Sequence, residues 1–293
     1  MTFNDDARID TSKVQRRKGG RAAAIGGGSV IGVLVLYFAS SLLGVDLTPL
    51  AGVFDGGSQP GSSSEQTADL SHCSTGAAAN QSDECRMVAA TDSIDTYWED
   101  QVRGYRSPGM ILYDGSTSSA CGTASNAVGP FYCPSDESIY IDTTFYDTLR
   151  NDFGASAGSL AQMYVLAHEW GHHISNLTGV LGQVGNDSGA ASGSVRLELQ
   201  ADCYAGAWVG AATTIKDADG RVFLEPISKA EIADALDAAA AVGDDNIQQS
   251  AGQRVNPDGF THGTSEQRQR WFVEGYQNGP MSCDTFSVSA SKL

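Results

Sequence analysis

The run His168-Glu169-Trp170-Gly171-His172 lies inside an apolar helical pattern and constrains this chain more than any other five residues. Four residues along an α-helix advance about 400°, so the two imidazoles fall on one face, one turn apart. That spacing suits two ligands of one tetrahedral zinc ion. Glu169 then lies beside the open coordination position, where a carboxylate can take a proton from a metal-activated water and pass it to a leaving amine.

A third ligand is expected from the run Arg196-Leu197-Glu198-Leu199-Gln200-Ala201-Asp202. A second helix facing the first would present Glu198 to the metal. Asp202, one turn on and on the same face, would reach a ligating imidazole. Such a histidine normally gives its second N–H to a carboxylate or carbonyl, which fixes its tautomer. Leu197, Ala201, Tyr204, Ala205 and Trp208 make most faces of this segment apolar, so the two acids within it need partners.

Together these segments resemble the gluzincin arrangement, HExxH followed by a helix carrying ExxxD. More closely, the chain resembles the bacterial family of predicted neutral zinc metallopeptidases through three runs: His168 to His173, Glu198 to Gly206 and His262 to Arg268. The resemblance extends from about Cys73 to Phe286, with the family's membrane-anchored layout before it. It implies a zincin-like metallopeptidase domain with Zn2+ as cofactor, His168, His172 and Glu198 as ligands, and Glu169 as catalytic base. The activity implied is zinc-dependent endopeptidase action on a protein or peptide substrate. Two alternatives stay open: a membrane-tethered, zinc-stabilised binding or scaffold protein without proteolytic activity, and an amidase acting on cell-wall peptides.

Topology is expected to divide the chain. Residues 22–45 contain no charged side chain, and Val30 to Leu43 is strongly apolar, which fits one membrane-spanning helix of about 20 residues. Arg16, Arg17, Lys18 and Arg21 precede it, so the positive-inside rule places residues 1–21 in the cytoplasm as a basic tail, with the lipid bilayer as a partner. A cleaved signal ending near Ala39-Ser40-Ser41, with secretion of the remainder, is the competing view. Residues 46–69 read as a linker, with its flexible composition clearest over Asp55 to Gln66, and residues 70–293 as one extracytoplasmic domain. Residues 22–293 hold 12 basic and 32 acidic groups, a balance of −20 that argues against nucleic acid as a partner.

All six cysteines follow the apolar segment, and an even number outside the cytoplasm suggests disulfides. Fifteen connectivities are possible. Sequence proximity and the family resemblance together suggest Cys73 with Cys85, Cys121 with Cys133, and Cys203 with Cys283.

The expected class is α+β, mainly helical, with a small sheet and one preceding transmembrane helix. Cys85 to Arg103 reads as a helix with Met87, Val88, Ile94, Tyr97 and Trp98 inward; Met110 to Tyr113 and Ser138 to Asp142 read as strands, and about Ser159 to Asn176 as the motif helix. Phe131 to Asp142 is the candidate edge for pairing with an extended peptide. Gly179 to Ser194 has the composition of a mobile loop. Thr264 and Gln267 form a capping box for a helix through Trp271, Phe272 and Tyr276. His262, in the turn entering that helix, is either a donor to a developing oxyanion or a structural cap. His173 is expected to face away from the ligand pair, and His72 has no partner motif.

Overall fold

The computed structural model describes residues 2–17, 67–125, 128–146 and 158–293. Strand β3, Gly109–Tyr113, and strand β7, Ser138–Asp142, pair in parallel with Met110 opposite Ile139 and Leu112 opposite Ile141. Those four residues face the main core, while Ile111, Tyr113 and Tyr140 point to a smaller cluster on the other side. Continuous apolar runs are what strands covered on both faces require. Strand β6, Phe131–Cys133, pairs antiparallel to β7 and ends the sheet on that side. Beyond β3 come β1, Val14–Arg17, in parallel, and β2, Thr67–Ala68, antiparallel, so the order is β2-β1-β3-β7-β6. A hairpin of β4, Ser116–Ser119, and β5, Gly122–Ser125, forms a second small sheet.

Short helix α1, Gly76–Gln81, leads into α2, Asp83–Gln101, whose Ser82 cap accepts from the Cys85 N–H. The motif helix α3, Ser159–Leu177, packs against α4, Gly193–Ala211, and against α5, Lys229–Ala241. After α6, Asp244–Ser250, the predicted capping box of Thr264 and Gln267 opens α7, Ser265–Asn278. Helices α4 and α7 approach backbone to backbone. A Cβ at Gly206 would lie 2.0 Å from the Phe272 carbonyl oxygen, and one at Gly275 1.8 Å from that of Cys203. All three expected disulfides are present, Cys73–Cys85, Cys121–Cys133 and Cys203–Cys283.

Several expectations require correction. About half of the described residues are helical and three strands of the main sheet run in parallel, so the class is mixed α/β rather than mainly helical α+β. No helix among the described residues is long and apolar enough to cross a membrane. The proposed span at 22–45 and the linker composition at Asp55 to Gln66 lie outside the described residues. Residues 2–17, expected as a cytoplasmic tail, pack on the domain itself: Phe3, Ala7, Ile9 and Val14 are buried in the main core. The Asn4 N–H donates to the Phe223 carbonyl at 2.9 Å, and β1 lies beside β3 through four residue pairs. A tail hydrogen-bonded into the domain cannot lie across a bilayer from it. The single-pass localisation, the transmembrane helix and the bilayer as partner are therefore withdrawn. Cleavage near Ala39-Ser40-Ser41 would likewise remove a sheet strand. Of the basic residues that suggested topology, Arg16 pairs with Glu84 and Asp114 and Arg17 donates to the Ser118 carbonyl; Lys13, just before them, pairs with Asp92 and Asp95.

Candidate metal centre

Helix α3 buries Leu160, Met163, Tyr164, Ala167, Trp170 and Ile174 at three- and four-residue spacing, which turns His168 and His172 toward α4. Helix α4 starts where Ser192 accepts from the Val195 N–H, with Asp187 accepting from the Gly193 and Ser194 N–H groups in the first turn. The segment between the helices is thus tied down at its end, and it is docked further where the Gly189 N–H reaches the Phe260 carbonyl.

The two helices bring His168, His172 and Glu198 together, with one potential ligand atom from each lying within 4.8 Å of the others. Nε2 of His168 stands 3.2 Å from Oε2 of Glu198, and Nε2 of His172 stands 3.4 Å from Oε1. On its other side, Nδ1 of His168 lies 2.8 Å from Asp202 Oδ1. A carboxylate can only accept, so Nδ1 carries the proton. In the neutral ring Nε2 is then an acceptor facing another acceptor, a clash that a shared cation relieves. Two imidazoles, one carboxylate and a carboxylate behind one imidazole form a donor set that fits zinc. Glu169, next to His168 on α3, is buried.

Electrostatics point the same way. Burial opposes charge on His168, yet Asp202 and Glu198 raise its pKa to about 10, so without a metal a second proton on Nε2 occupies the place facing Glu198 that a metal cation would take. Burial also works against the Glu198 carboxylate, but His172, His262 and His168 hold it well below the usual range.

Asp202 shows why its own charge survives complete burial. Burial alone would raise its pKa, but the Arg268 guanidinium and His168 bring it down to about 2. Arg268 donates to it through Nε at 2.7 Å and Nη2 at 2.9 Å, while Tyr164 donates its hydroxyl at 2.5 Å. Neither Arg268 nor Tyr164 was assigned a role from the sequence. Arg268 did leave a signal, because it shares the 268, 271, 272, 275 face with Trp271, Phe272 and Gly275, and a charge in a buried stripe needs a partner.

His262 lies beside the centre, near enough to Glu198 for their charges to interact. Burial lowers its pKa, but Glu198 and Asp244 outweigh this and raise it. Its Nδ1 is 3.3 Å from Asp244 Oδ1 and 3.0 Å from the Thr261 hydroxyl. Asp244 also accepts the backbone N–H groups of Thr261, His262 and Gly263, so one carboxylate shapes the whole turn. No local pattern marks Asp244 as His262's partner, since it opens a different helix. His173 does not join the ligands, as expected, and is fully buried on the sheet side. His72 sits 3.6 Å from Glu84; the neighbouring sulfurs of Cys73 and Cys85 are joined in a disulfide and offer no thiolate.

Relatives share nearly the full length. An uncharacterized protein of Mycobacterium tuberculosis is 49% identical over 295 residues, covering 99% of this chain and 99% of its own. The uncharacterized protein YpfJ of Escherichia coli K12 is 38% identical over 268 residues, covering 88% of this chain and 86% of its own. No solved structure matches the chain. A family model matches residues 3–286, so the shared region begins with the docked N-terminal segment rather than at Cys73. The chain belongs to the family described as "Putative neutral zinc metallopeptidase".

Proposed function

We propose that this chain is a zinc-dependent endopeptidase in which His168, His172 and Glu198 hold the metal and Glu169 moves the proton. The observation that carries this reading is the convergence of three ligand atoms within 4.8 Å beside a glutamate of the same helix. Zinc held there supplies Lewis acidity, which lets a water lose a proton near neutral pH and polarises a peptide carbonyl. Glu169 accepts that proton and delivers it to the amide nitrogen as the C–N bond breaks. Asp202, fixed by Arg268 and Tyr164, keeps the His168 Nδ1 proton in place and so commits Nε2 to the ligand role. His262, oriented by Asp244, is the hydrogen-bond donor for the carbonyl oxygen as it gains negative charge. An extended substrate adds as a further strand on Phe131–Cys133, the end of the sheet beside α3.

The test pairs metal content with turnover. Glu169→Gln is expected to retain one zinc per chain while losing at least about a hundredfold in casein hydrolysis. Cleavage at the parental rate by a zinc-loaded Glu169→Gln protein would remove Glu169 from the mechanism.

A further inference from the structure

His173 follows the second ligand directly, is completely buried, and has no part in the chemistry above. Its hydrogen bonds assign every proton. Nε2 lies 2.7 Å from the Arg106 carbonyl oxygen, which can only accept, so Nε2 carries the hydrogen. With the hydrogen on Nε2, Nδ1 offers its lone pair 3.0 Å from the Tyr132 hydroxyl. That hydroxyl donates to His173 and accepts from Asn176 Nδ2 at 2.9 Å. Two residues one turn apart on α3 thus grip one hydroxyl on β6.

Tyr132 is the middle residue of a three-residue strand that ends the sheet. Its neighbours are also held by their side chains: Phe131 stacks on Tyr140 with centroids 5.1 Å apart, and Cys133 is bonded to Cys121. An isolated edge of three residues would be expected to fray, and ordering it at the moment of binding would weaken affinity. Here every residue is fixed in advance. The element to which the middle one is fixed also carries His168, Glu169 and His172.

We infer that His173 is a positioning residue: through Tyr132 it holds the Phe131–Cys133 edge at a set height above the ligand helix, so that an extended peptide pairing with that edge is in register with the metal. This rests on the peptidase reading and adds to it a residue that determines peptide affinity without touching substrate or metal. Main-chain pairing implies an occupant in extended conformation, hence an unfolded or flexible segment rather than a helix.

Tyr132→Phe removes the hydroxyl while keeping the ring and is the variant of choice, with His173→Gln as a second. Both are made in the full chain on the Glu169→Gln background, and the Kd for fluorescein-labelled casein is measured beside zinc affinity by chelator competition. The expected result is a Kd raised about tenfold with zinc affinity unchanged, and, on the wild-type background, an effect on KM rather than kcat. If Tyr132→Phe lowers the melting temperature but binds casein as tightly as its parent, the role is structural only and the inference is overturned. Loss of zinc affinity, or a parent that binds no casein, overturns it too. Casein is checked on a gel after each titration, so a Glu169→Gln parent that binds casein and still cleaves it overturns Glu169 as the base and not this inference.

Discussion

Gly171 and Ala201 meet with no side chain between them: a Cβ at Gly171 would lie 2.7 Å from the Ala201 Cα and 2.9 Å from its carbonyl oxygen. Gly171 precedes His172, a proposed ligand, and Ala201 precedes Asp202, so this contact sets the separation of α3 and α4 at the level of the candidate metal centre. Gly171→Ala gains up to about 1 kcal/mol in helix propensity. Overpacking against a backbone costs about 1–3 kcal/mol and wins, because backbone atoms cannot rotate aside. The expected outcome is a lowered melting temperature together with zinc affinity reduced at least about tenfold, measured by chelator competition. Parental zinc affinity in Gly171→Ala would show that the helix spacing does not control the site.

Arg268 grips the Asp202 carboxylate with two nitrogens while the His168 ring bonds to the same carboxylate, and both Arg268 and Asp202 are buried. Arg268→Met leaves that carboxylate without its strongest partner, at a cost of about 3–5 kcal/mol. It also frees Asp202 to turn, which is expected to weaken zinc binding by about 10–100-fold. Arg268→Lys restores the charge but not the two-pronged contact and is expected to fall between. The informative comparison is Arg268→Met with Asp202→Leu: the double variant recovers stability in urea but not zinc affinity. Recovery of both would mean that the pair serves packing alone.

Much of this site could be read from the residues because its parts are periodic and local. Helices α3, α4 and α7 announce themselves through apolar stripes and, for α7, a capping box; the proposed ligands are placed by helical spacing on two of them. What escaped depends on contacts distant in sequence. Val14 finds its strand partner at Met110, and Lys13 its carboxylates at Asp92 and Asp95, so nothing within residues 2–17 signals a sheet strand. Its basic residues instead matched a rule for membrane topology, a rule that counts charges without knowing their partners. The candidate edge, Phe131 to Asp142, is wider than the strand that ends the sheet for a related reason. Within that range Ser138–Asp142 is paired on both sides and Phe131–Cys133 ends the sheet on its side, a distinction that strand pattern does not carry.

Lys13 tests how firmly the N-terminal segment belongs to the domain. Its ammonium lies 2.8 Å from both Asp92 and Asp95, two buried acids of α2, and Asp95 also accepts from the Tyr105 hydroxyl. The lysine is partly exposed, so water offsets some of the loss, and Lys13→Met is expected to cost about 2 kcal/mol rather than the full value of a buried pair. Amide exchange should quicken together in Val14–Arg17 and Met110–Tyr113, because these strands share one ladder. Faster exchange confined to Val14–Arg17, with Met110–Tyr113 as protected as in the parent, would mean that the segment adds nothing to the stability of the sheet.

The disulfides separate stability from metal binding. Cys203–Cys283 closes a loop of 80 residues and Cys73–Cys85 one of 12. Loop-closure entropy assigns about 4.5 kcal/mol to the first and about 3 kcal/mol to the second. The longer bridge joins the ligand helix α4 to the C-terminal segment, but that segment has other ties: Arg196 donates to the carbonyls of Thr285 and Val288, and Gln200 to that of Cys283. Helix α4 is itself held between α3 and α7. The double variant Cys203→Ala/Cys283→Ala is therefore expected to unfold at lower urea than Cys73→Ala/Cys85→Ala, yet to bind zinc with parental affinity at low temperature. Zinc affinity that falls along with stability would show that the bridge positions Glu198, and the bridge would then belong to the metal centre rather than to the frame around it.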